Sequence, residues 1–237
     1  MKLEMATNSY IVASSKDWHR PRFDALADRS RDAWHWVSTP EELMDRLRQS
    51  PVCKYIFFLH WNWHVPKDVW TRYQCVCFHM TDVPYGRGGS PLQNLIVAGH
   101  KSTKFAALRM VEEMDAGPVY VKSLMSLDGR AEEIYLRAGK LSFEMICFII
   151  NNMPIPKPQQ GEPVYFKRRK PAQSELPASG GIMKLYDHIR MLDAPSYPKA
   201  FLEYGKYRLE FSGAQLNGND LIAQVVIKNE PTDDEGN

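Results

Sequence analysis

Residues 75–94 constrain the fold most, because they predict a strand, a turn and a helix in direct succession. The strand alternates so that Cys77 and His79 lie on one face. A turn with three glycines follows, and Ser90 and Pro91 are typical of the N-cap and first position of a helix. Because α/β folds build sites at the carboxyl edge of the sheet, we expect His79 to lie at a functional site.

The flanking segments predict more strands separated by helices. Predicted strands lie at residues 9–13, 34–37 and 52–59, and a helix that begins at Pro40 separates the last two. This order favours an α/β fold: a Rossmann-like, mostly parallel sheet with flanking helices, plus a small C-terminal α+β region. We predict four parts, namely a catalytic domain over residues 1–150, a linker and acceptor-binding loop over 151–181, a small C-terminal region over 182–228 and a disordered tail over 229–237.

Composition narrows the functional class. The formal net charge is +2, which argues against a dedicated nucleic-acid binder. No apolar run reaches the roughly 18 residues of a membrane span, and the first ten residues lack the apolar core of a signal peptide. The four cysteines have no disulfide-framework spacing. We therefore expect a cytoplasmic protein that binds neither nucleic acid nor membrane.

Two motifs resemble those of a known family. The run C-F-H-M-T-D-V-P-Y-G-R-G-G-S-P-L-Q-N-L-I at residues 77–96 resembles the signature of the folate-dependent formyltransferases. The run E-M-D-A-G-P at residues 113–118 resembles their second motif, and the interval of 36 residues from His79 to Asp115 is the one that the family pattern expects. The resemblance covers residues 50–150 best.

Later segments resemble one branch of that family. V-Y-F-K-R-R-K-P at residues 164–171 and Y-D-H-I-R-M-L-D-A-P-S-Y-P-K-A-F at 186–201 resemble the sugar N-formyltransferases. H-W-N-W-H-V-P at 60–66, taken with the first motif, is similar to the branch associated with pseudaminic acid synthesis.

The resemblance implies an enzyme, a co-substrate and an acceptor. It implies formyl transfer from N10-formyltetrahydrofolate, without a metal, to the 4-amino group of a UDP-linked amino sugar, UDP-4-amino-4,6-dideoxy-N-acetyl-β-L-altrosamine. It also implies a homodimer. The alternatives are another amine, such as a dTDP-amino sugar or methionyl-tRNA, and a non-catalytic protein that binds folate or a nucleotide sugar.

The matched positions give the candidate site residues. In the formyltransferases the histidine, here His79, is the candidate base for the amine proton, and Asp115 would orient the imidazole and relay the proton. The resemblance implies folate contacts at Trp61, Asn62, Trp63, Val65, Arg87, Gly88 and Asp115. The candidate acceptor contacts are Thr81, Arg168, Arg169, Arg190 and Tyr197.

Cys77 departs from the pattern, because the family has an asparagine there that donates to the formyl oxygen, and a thiol is a weak donor. That role could fall to protonated His79, to a backbone N–H, or to the side chain of Thr81, Asn62 or Asn94. Alternatively, the protein is impaired or divergent. Two other readings are a Cys77 nucleophile activated by His79 and a zinc site. The zinc site would draw its ligands from His60, His64, Cys75, Cys77 and His79.

Overall fold

A computed structural model describes residues 8–49, 52–195 and 197–229. It divides into two compact units. The first unit contains the described residues up to Gly88, together with Thr103–Met125 and Leu136–Tyr165. The second contains Gly89–Ser102, Ser126–Tyr135 and the described residues from Phe166 onward. The units are interleaved along the chain, whereas the sequence predicted consecutive parts with a boundary at residue 150.

The first unit is built on a six-stranded sheet with the order β2-β1-β3-β4-β6-β7. The early strands of the chain are β1 Ser9–Ala13, β2 Ala33–Val37, β3 Tyr55–Phe58, β4 Cys75–His79, β5 Arg87–Gly88, β6 Ser102–Arg109 and β7 Val119–Ser126. The β1–β2, β1–β3 and β3–β4 pairs are parallel, and β6 runs antiparallel to β4. The predicted mostly parallel sheet is confirmed.

Helices occupy the connections between the parallel strands, as the sequence predicts. The helices are α1 Arg20–Asp28, α2 Pro40–Gln49, α3 Lys67–Arg72, α4 Pro91–Val97, α5 Ala131–Asn152 and α6 Ile182–Arg190. At the start of α2, the N–H of Glu42 donates to Oγ1 of Thr39 at 3.2 Å, which caps the helix. Ile11, Ile56 and Phe57 are fully buried, so the sheet's central strands form the core of this unit. Within the described residues, no helix is long and apolar enough to cross a membrane.

The second unit carries a three-stranded antiparallel sheet with the order β11-β10-β9. The later strands of the chain are β8 Tyr165–Phe166, β9 Ala200–Tyr204, β10 Tyr207–Asn217 and β11 Asp220–Asn229. The sequence pattern predicts two strands in this part of the chain, over residues 206–211 and 221–227, so it misses β9 and ends β10 too early. The predicted tail lies outside the described residues except for Asn229, which ends β11.

Two segments differ from the sequence prediction. Ser90 precedes α4 as predicted, but it has a left-handed backbone with φ of 50° and its side chain does not cap the helix. Residues 151–163, which were predicted to be a linker, are bound to the first unit: Lys157 and Val119 exchange two main-chain hydrogen bonds of 2.7 and 2.9 Å. Its four prolines are typical of a linker, but its main-chain hydrogen bonds to the edge strand β7 fix it in the first unit.

Candidate functional site

His79 and Asp115 lie together in the first unit. His79 ends β4, at the carboxyl edge of the parallel strands, and its Nδ1 lies 3.4 Å from Oδ1 of Asp115. The His79 and Asp115 side chains are 8% and 15% exposed. The two motifs therefore form one largely buried centre, in which His79 and Asp115 lie together as the spacing of the formyltransferase pattern implied.

The hydrogen bonds of His79 determine where a proton can lie. Its Nε2 is 2.8 Å from the carbonyl oxygen of Gly86, and since a carbonyl only accepts, Nε2 carries the hydrogen. The lone pair of a neutral ring then lies on Nδ1, facing the Asp115 carboxylate. A proton taken up by the pair is held between Nδ1 and Oδ1, where both groups attract it.

Asp115 is positioned by the backbone around it. Its Oδ2 accepts the N–H of Gly88 at 2.9 Å, and its φ of 56° is a left-handed conformation that is rare outside glycine. A Cβ on Gly117 would lie 1.7 Å from the carbonyl oxygen of Arg109, so only glycine fits there. The D-A-G motif is thus a tight turn that presents one carboxylate to His79.

The loop after His79 is held by buried contacts. Thr81 is fully buried, and its hydroxyl donates to the Gly86 carbonyl at 3.2 Å. This burial disfavours the predicted contact between Thr81 and the acceptor. Asp82 accepts from Lys122 at 2.5 Å and pairs with Lys104 at 3.0 Å. Burial alone would raise the pKa of Asp82, but the two lysines hold it below its usual value.

Arg87 is held by protein groups rather than left free for a ligand. Its guanidinium donates to Glu113 at 3.0 Å and to Gln159 at 3.1 and 2.9 Å. Tyr165 donates its hydroxyl to the same Glu113 oxygen at 2.7 Å. These contacts favour a structural role for Arg87 over the predicted folate contact. Gly88 likewise uses its N–H on Asp115.

Cys77 is half-buried on β4, next to the centre. Burial, and then the nearby Asp115 carboxylate, raises the pKa of its thiol to about 12. The thiol therefore stays protonated at neutral pH, which disfavours the reading of Cys77 as a nucleophile.

Two of the three side chains that could replace the missing asparagine are already engaged. Thr81 donates to Gly86, and in the second unit Asn94 donates to the carbonyls of Gly89 and Lys167 at 3.0 and 3.1 Å. Asn62 is exposed and makes no hydrogen bond among the described residues. Asn62 is the remaining side-chain candidate.

The loop after β3 separates into a packed part and an exposed part. Val65 is buried in the hydrophobic core and Trp61 packs against that core. Trp63 meets Trp61 edge-on, with ring centroids 4.9 Å apart, and is 44% exposed. Asn62 and Trp63 are therefore the predicted folate contacts that a ligand can reach in this loop.

A histidine pair that sequence reasoning missed begins this loop. Nε2 of His19 lies 3.0 Å from Nδ1 of His60, and the two rings stack at 5.1 Å. Burial lowers the pKa of His19 to about 3 and that of His60 to about 4, with smaller effects from neighbouring groups. The sequence gives no signal that joins positions 41 residues apart. Across the described residues, no group of three His, Cys, Asp or Glu side chains could hold a metal ion.

The remaining predicted acceptor residues belong to the second unit. Arg168 is exposed. A Cβ added to residue 89 would lie only 2.5 Å from the Cβ of Arg168, so position 89 requires glycine. The Ser90 hydroxyl accepts the N–H of Arg169 at 3.1 Å and lies 3.2 Å from the Tyr197 hydroxyl. Arg168, Arg169 and Tyr197 are thus placed beside the N-terminal end of α4.

Arg190 is buried, which disfavours its predicted contact with the acceptor. Its side chain is 4% exposed and pairs with Asp187 at 2.6 Å. It also donates to the carbonyls of Leu127 and Gly129 at 2.7 and 2.8 Å. The sequence suggested a cation that is available to the acceptor. In the folded protein, the Arg190 guanidinium instead satisfies buried carbonyl groups.

Comparison with known proteins identifies the family. The profile of the methionyl-tRNA formyltransferase C-terminal domain matches residues 171–228. The solved structure of a methionyl-tRNA formyltransferase from Clostridium thermocellum is 41% identical, with a TM-score of 0.91 over 94% of this chain and 100% of that one. The chain belongs to the formyltransferase family.

Other formyltransferases are more distant. The methionyl-tRNA formyltransferase of Francisella philomiragia is 24% identical over 65% of this chain and 51% of its own length. The chain thus spans about half the length of that curated relative. The fold is also shared with an N-formyltransferase from Helicobacter canadensis, solved with folinic acid and dTDP-3-aminofucose. That structure is 14% identical, with a TM-score of 0.59 over 93% of this chain and 100% of the other.

Proposed function

We propose that the protein transfers a formyl group from N10-formyltetrahydrofolate to a primary amine. The observation that carries the proposal is the His79–Asp115 pair, with Nδ1 and Oδ1 3.4 Å apart and both side chains largely buried. Membership of the formyltransferase family and the folinic acid bound to the Helicobacter relative support the choice of donor.

The pair would act as a proton store during transfer. The neutral amine attacks the formyl carbon, and the proton that it loses is held between Nδ1 of His79 and Oδ1 of Asp115. When the tetrahedral intermediate collapses, the C–N10 bond breaks and the stored proton passes to N10. Tetrahydrofolate leaves neutral at N10 and the acceptor leaves as a formamide.

The oxyanion needs donors other than Cys77. Asn62 is free to donate, and it follows β3, the strand that lies next to β4 in the sheet. We assign it, together with backbone N–H groups, the role of the asparagine that the family has at position 77. Trp63 would cover the pterin ring of the folate.

We propose a nucleotide-linked amino sugar as the acceptor. Exposed Arg168 and the neighbouring Arg169 would bind the diphosphate, and Tyr197 the base or sugar ring. The cations of the C-terminal sheet are neutralised by carboxylates: Arg208 pairs with Glu203 at 3.0 Å and Lys228 with Glu210 at 2.7 Å. That sheet therefore offers little attraction to a polyanion such as tRNA.

Within this class, the motif resemblance favours UDP-4-amino-4,6-dideoxy-N-acetyl-β-L-altrosamine over dTDP-linked sugars. Methionyl-tRNA is the second candidate, because the Clostridium relative, 41% identical, is named for that acceptor. A homodimer and a cytoplasmic location remain predictions.

The test incubates the protein and N10-formyltetrahydrofolate with UDP- and dTDP-linked amino sugars and with methionyl-tRNA, and detects products by mass spectrometry. We expect formylation of a nucleotide sugar, near-complete loss in His79→Asn and in Asp115→Asn, and retained folate binding in both variants. Formylation of methionyl-tRNA alone would reverse the choice of acceptor. Binding of folate and nucleotide sugar without any product would refute the enzyme.

A further inference from the structure

The proline-rich segment that follows α5, residues 153–164, contacts the turn at Asp115, and we call this segment the strap. Besides the exchange between Lys157 and Val119, Val164 donates its N–H to the carbonyl of Pro84 at 3.0 Å and accepts the N–H of Arg87 at 2.9 Å. The segment is therefore fixed both near its start and at its end. Its middle carries one side chain, Gln159, that reaches the catalytic turn.

Gln159 makes four hydrogen bonds, two through the nitrogen and two through the oxygen of its side-chain amide. Its Nε2 donates to the carbonyls of Asp115 at 2.7 Å and Gly117 at 2.8 Å. Its Oε1 accepts from Nε and Nη2 of Arg87 at 3.1 and 2.9 Å. Because carbonyls only accept and a guanidinium only donates, this orientation of the amide is the one that satisfies all four contacts.

These bonds join the turn at Asp115 to the side chain of Arg87, and so connect the two backbone pieces that aim the Asp115 carboxylate. One piece is the left-handed turn at Asp115, a backbone conformation that residues other than glycine adopt at a cost in strain. The other is the strand Arg87–Gly88, whose Gly88 N–H binds Oδ2 of Asp115 at 2.9 Å. Gln159 spans both pieces, so it holds the carboxylate in register with His79.

We infer that Gln159 is a positioning residue for the His79–Asp115 pair, and that the strap is a working part of the active site. The inference rests on the proposed formyl transfer. Gln159 acts through the backbone carbonyls of the turn and not by contact with either substrate. Its loss should therefore slow turnover and leave the affinity for both substrates nearly unchanged.

Gln159→Glu is the sharpest variant, because it keeps the shape of the side chain and the oxygen that faces Arg87. It replaces the donor group with an oxygen that repels the carbonyls of Asp115 and Gly117. Gln160→Glu is the matched control: it adds the same charge one residue away, at an exposed side chain without a hydrogen bond among the described residues.

We expect kcat of Gln159→Glu to fall by about 10- to 100-fold, since a small misplacement of a catalytic group has a cost of this order. KM for both substrates should stay within about threefold, because substrate binding does not use this amide. Gln160→Glu should match the wild type. Hydrogen exchange of the free protein gives a second readout: the amides of residues 113–119 should lose protection in Gln159→Glu only.

The two readouts separate the inference from the proposed function. If the wild type formylates an amine and Gln159→Glu keeps its kcat, or loses activity through KM alone, the inference is overturned. If the wild type is inactive on every amine, the proposed function fails, and hydrogen exchange then decides whether Gln159 holds the turn. Unchanged exchange in Gln159→Glu would overturn the inference whatever the activity.

Discussion

The residue at position 77 bears most directly on rate. Cys77 lies two residues before His79, at the position where the motif that it resembles has an asparagine, and its thiol is kept protonated by burial and by Asp115. A neutral thiol is a poor hydrogen-bond donor and not a nucleophile. The proposed formyl transfer would therefore proceed without a strong donor at this position.

Restoring the amide should speed the reaction. We expect Cys77→Asn to raise kcat at least about 10-fold, since one oxyanion donor is worth about 10²–10³ in rate where it has been removed from other enzymes. Cys77→Ala should stay within about threefold of the wild type, because the thiol contributes little to the oxyanion. Steady-state kinetics with the preferred acceptor measures both variants. A fall in kcat of Cys77→Asn would show instead that the pocket is shaped around sulfur.

At the scale of elements, the candidate site lies at the carboxyl ends of the parallel strands, and sequence alone predicted most of this arrangement. β1, β3 and β4 are short apolar runs whose period and turn residues identify them, and two motifs at a known interval located His79 and Asp115. Contacts between distant segments were not predictable. Gln159 and Arg87 lie 72 residues apart, and nothing in either segment's local pattern specifies the partner.

The same limit explains the errors. Arg190 and Thr81 have polar side chains that are typical of ligand contacts, but burial decides their role, and burial depends on tertiary packing. The strap has the composition of a linker, but its main chain is held by a bridge to the free edge of β7.

His19 follows β1 and His60 follows β3, and the pair that they form predicts how the free energy of unfolding depends on pH. In the folded protein the pKa of His19 is about 3 and that of His60 about 4, against an ordinary value near 6.5 in the unfolded chain. Below about pH 6.5 the unfolded state therefore binds more protons than the folded state. The pair's contribution to stability is fully present above that pH and is lost as the pH falls toward about 4.

The free energy of unfolding should then fall by up to about 1.4 kcal/mol per pH unit for each histidine in this window. Urea titrations between pH 7 and 4.5 measure the slope. The variant His19→Gln/His60→Gln should show a flatter slope even if it is less stable at pH 7. His64→Gln, at an exposed position of the same loop, is the control and should keep the wild-type slope. Equal slopes in all three proteins would contradict the assignment.

At the scale of the whole molecule, charge distinguishes the two acceptor classes. The chain has 30 lysines and arginines and 28 acidic side chains, and in the C-terminal sheet Arg208 pairs with Glu203 and Lys228 with Glu210. Affinity for a polyanion falls steeply with salt, because each neutralised phosphate releases a counterion. A diphosphate sugar offers two such charges, whereas a tRNA would require many.

We therefore expect a shallow salt dependence of acceptor binding. Between 50 and 200 mM salt, log(1/KM) for a nucleotide-linked amino sugar should fall with log[salt] with a slope no steeper than about −2. Arg168→Ser should flatten that slope by up to about one unit if the exposed guanidinium binds the diphosphate. Lys206→Ser, at the exposed turn between β9 and β10, is the control and should leave the slope unchanged. A slope near −5 or steeper with methionyl-tRNA, together with efficient turnover, would show instead that the protein neutralises an extended phosphate backbone, and the acceptor assignment would move to tRNA.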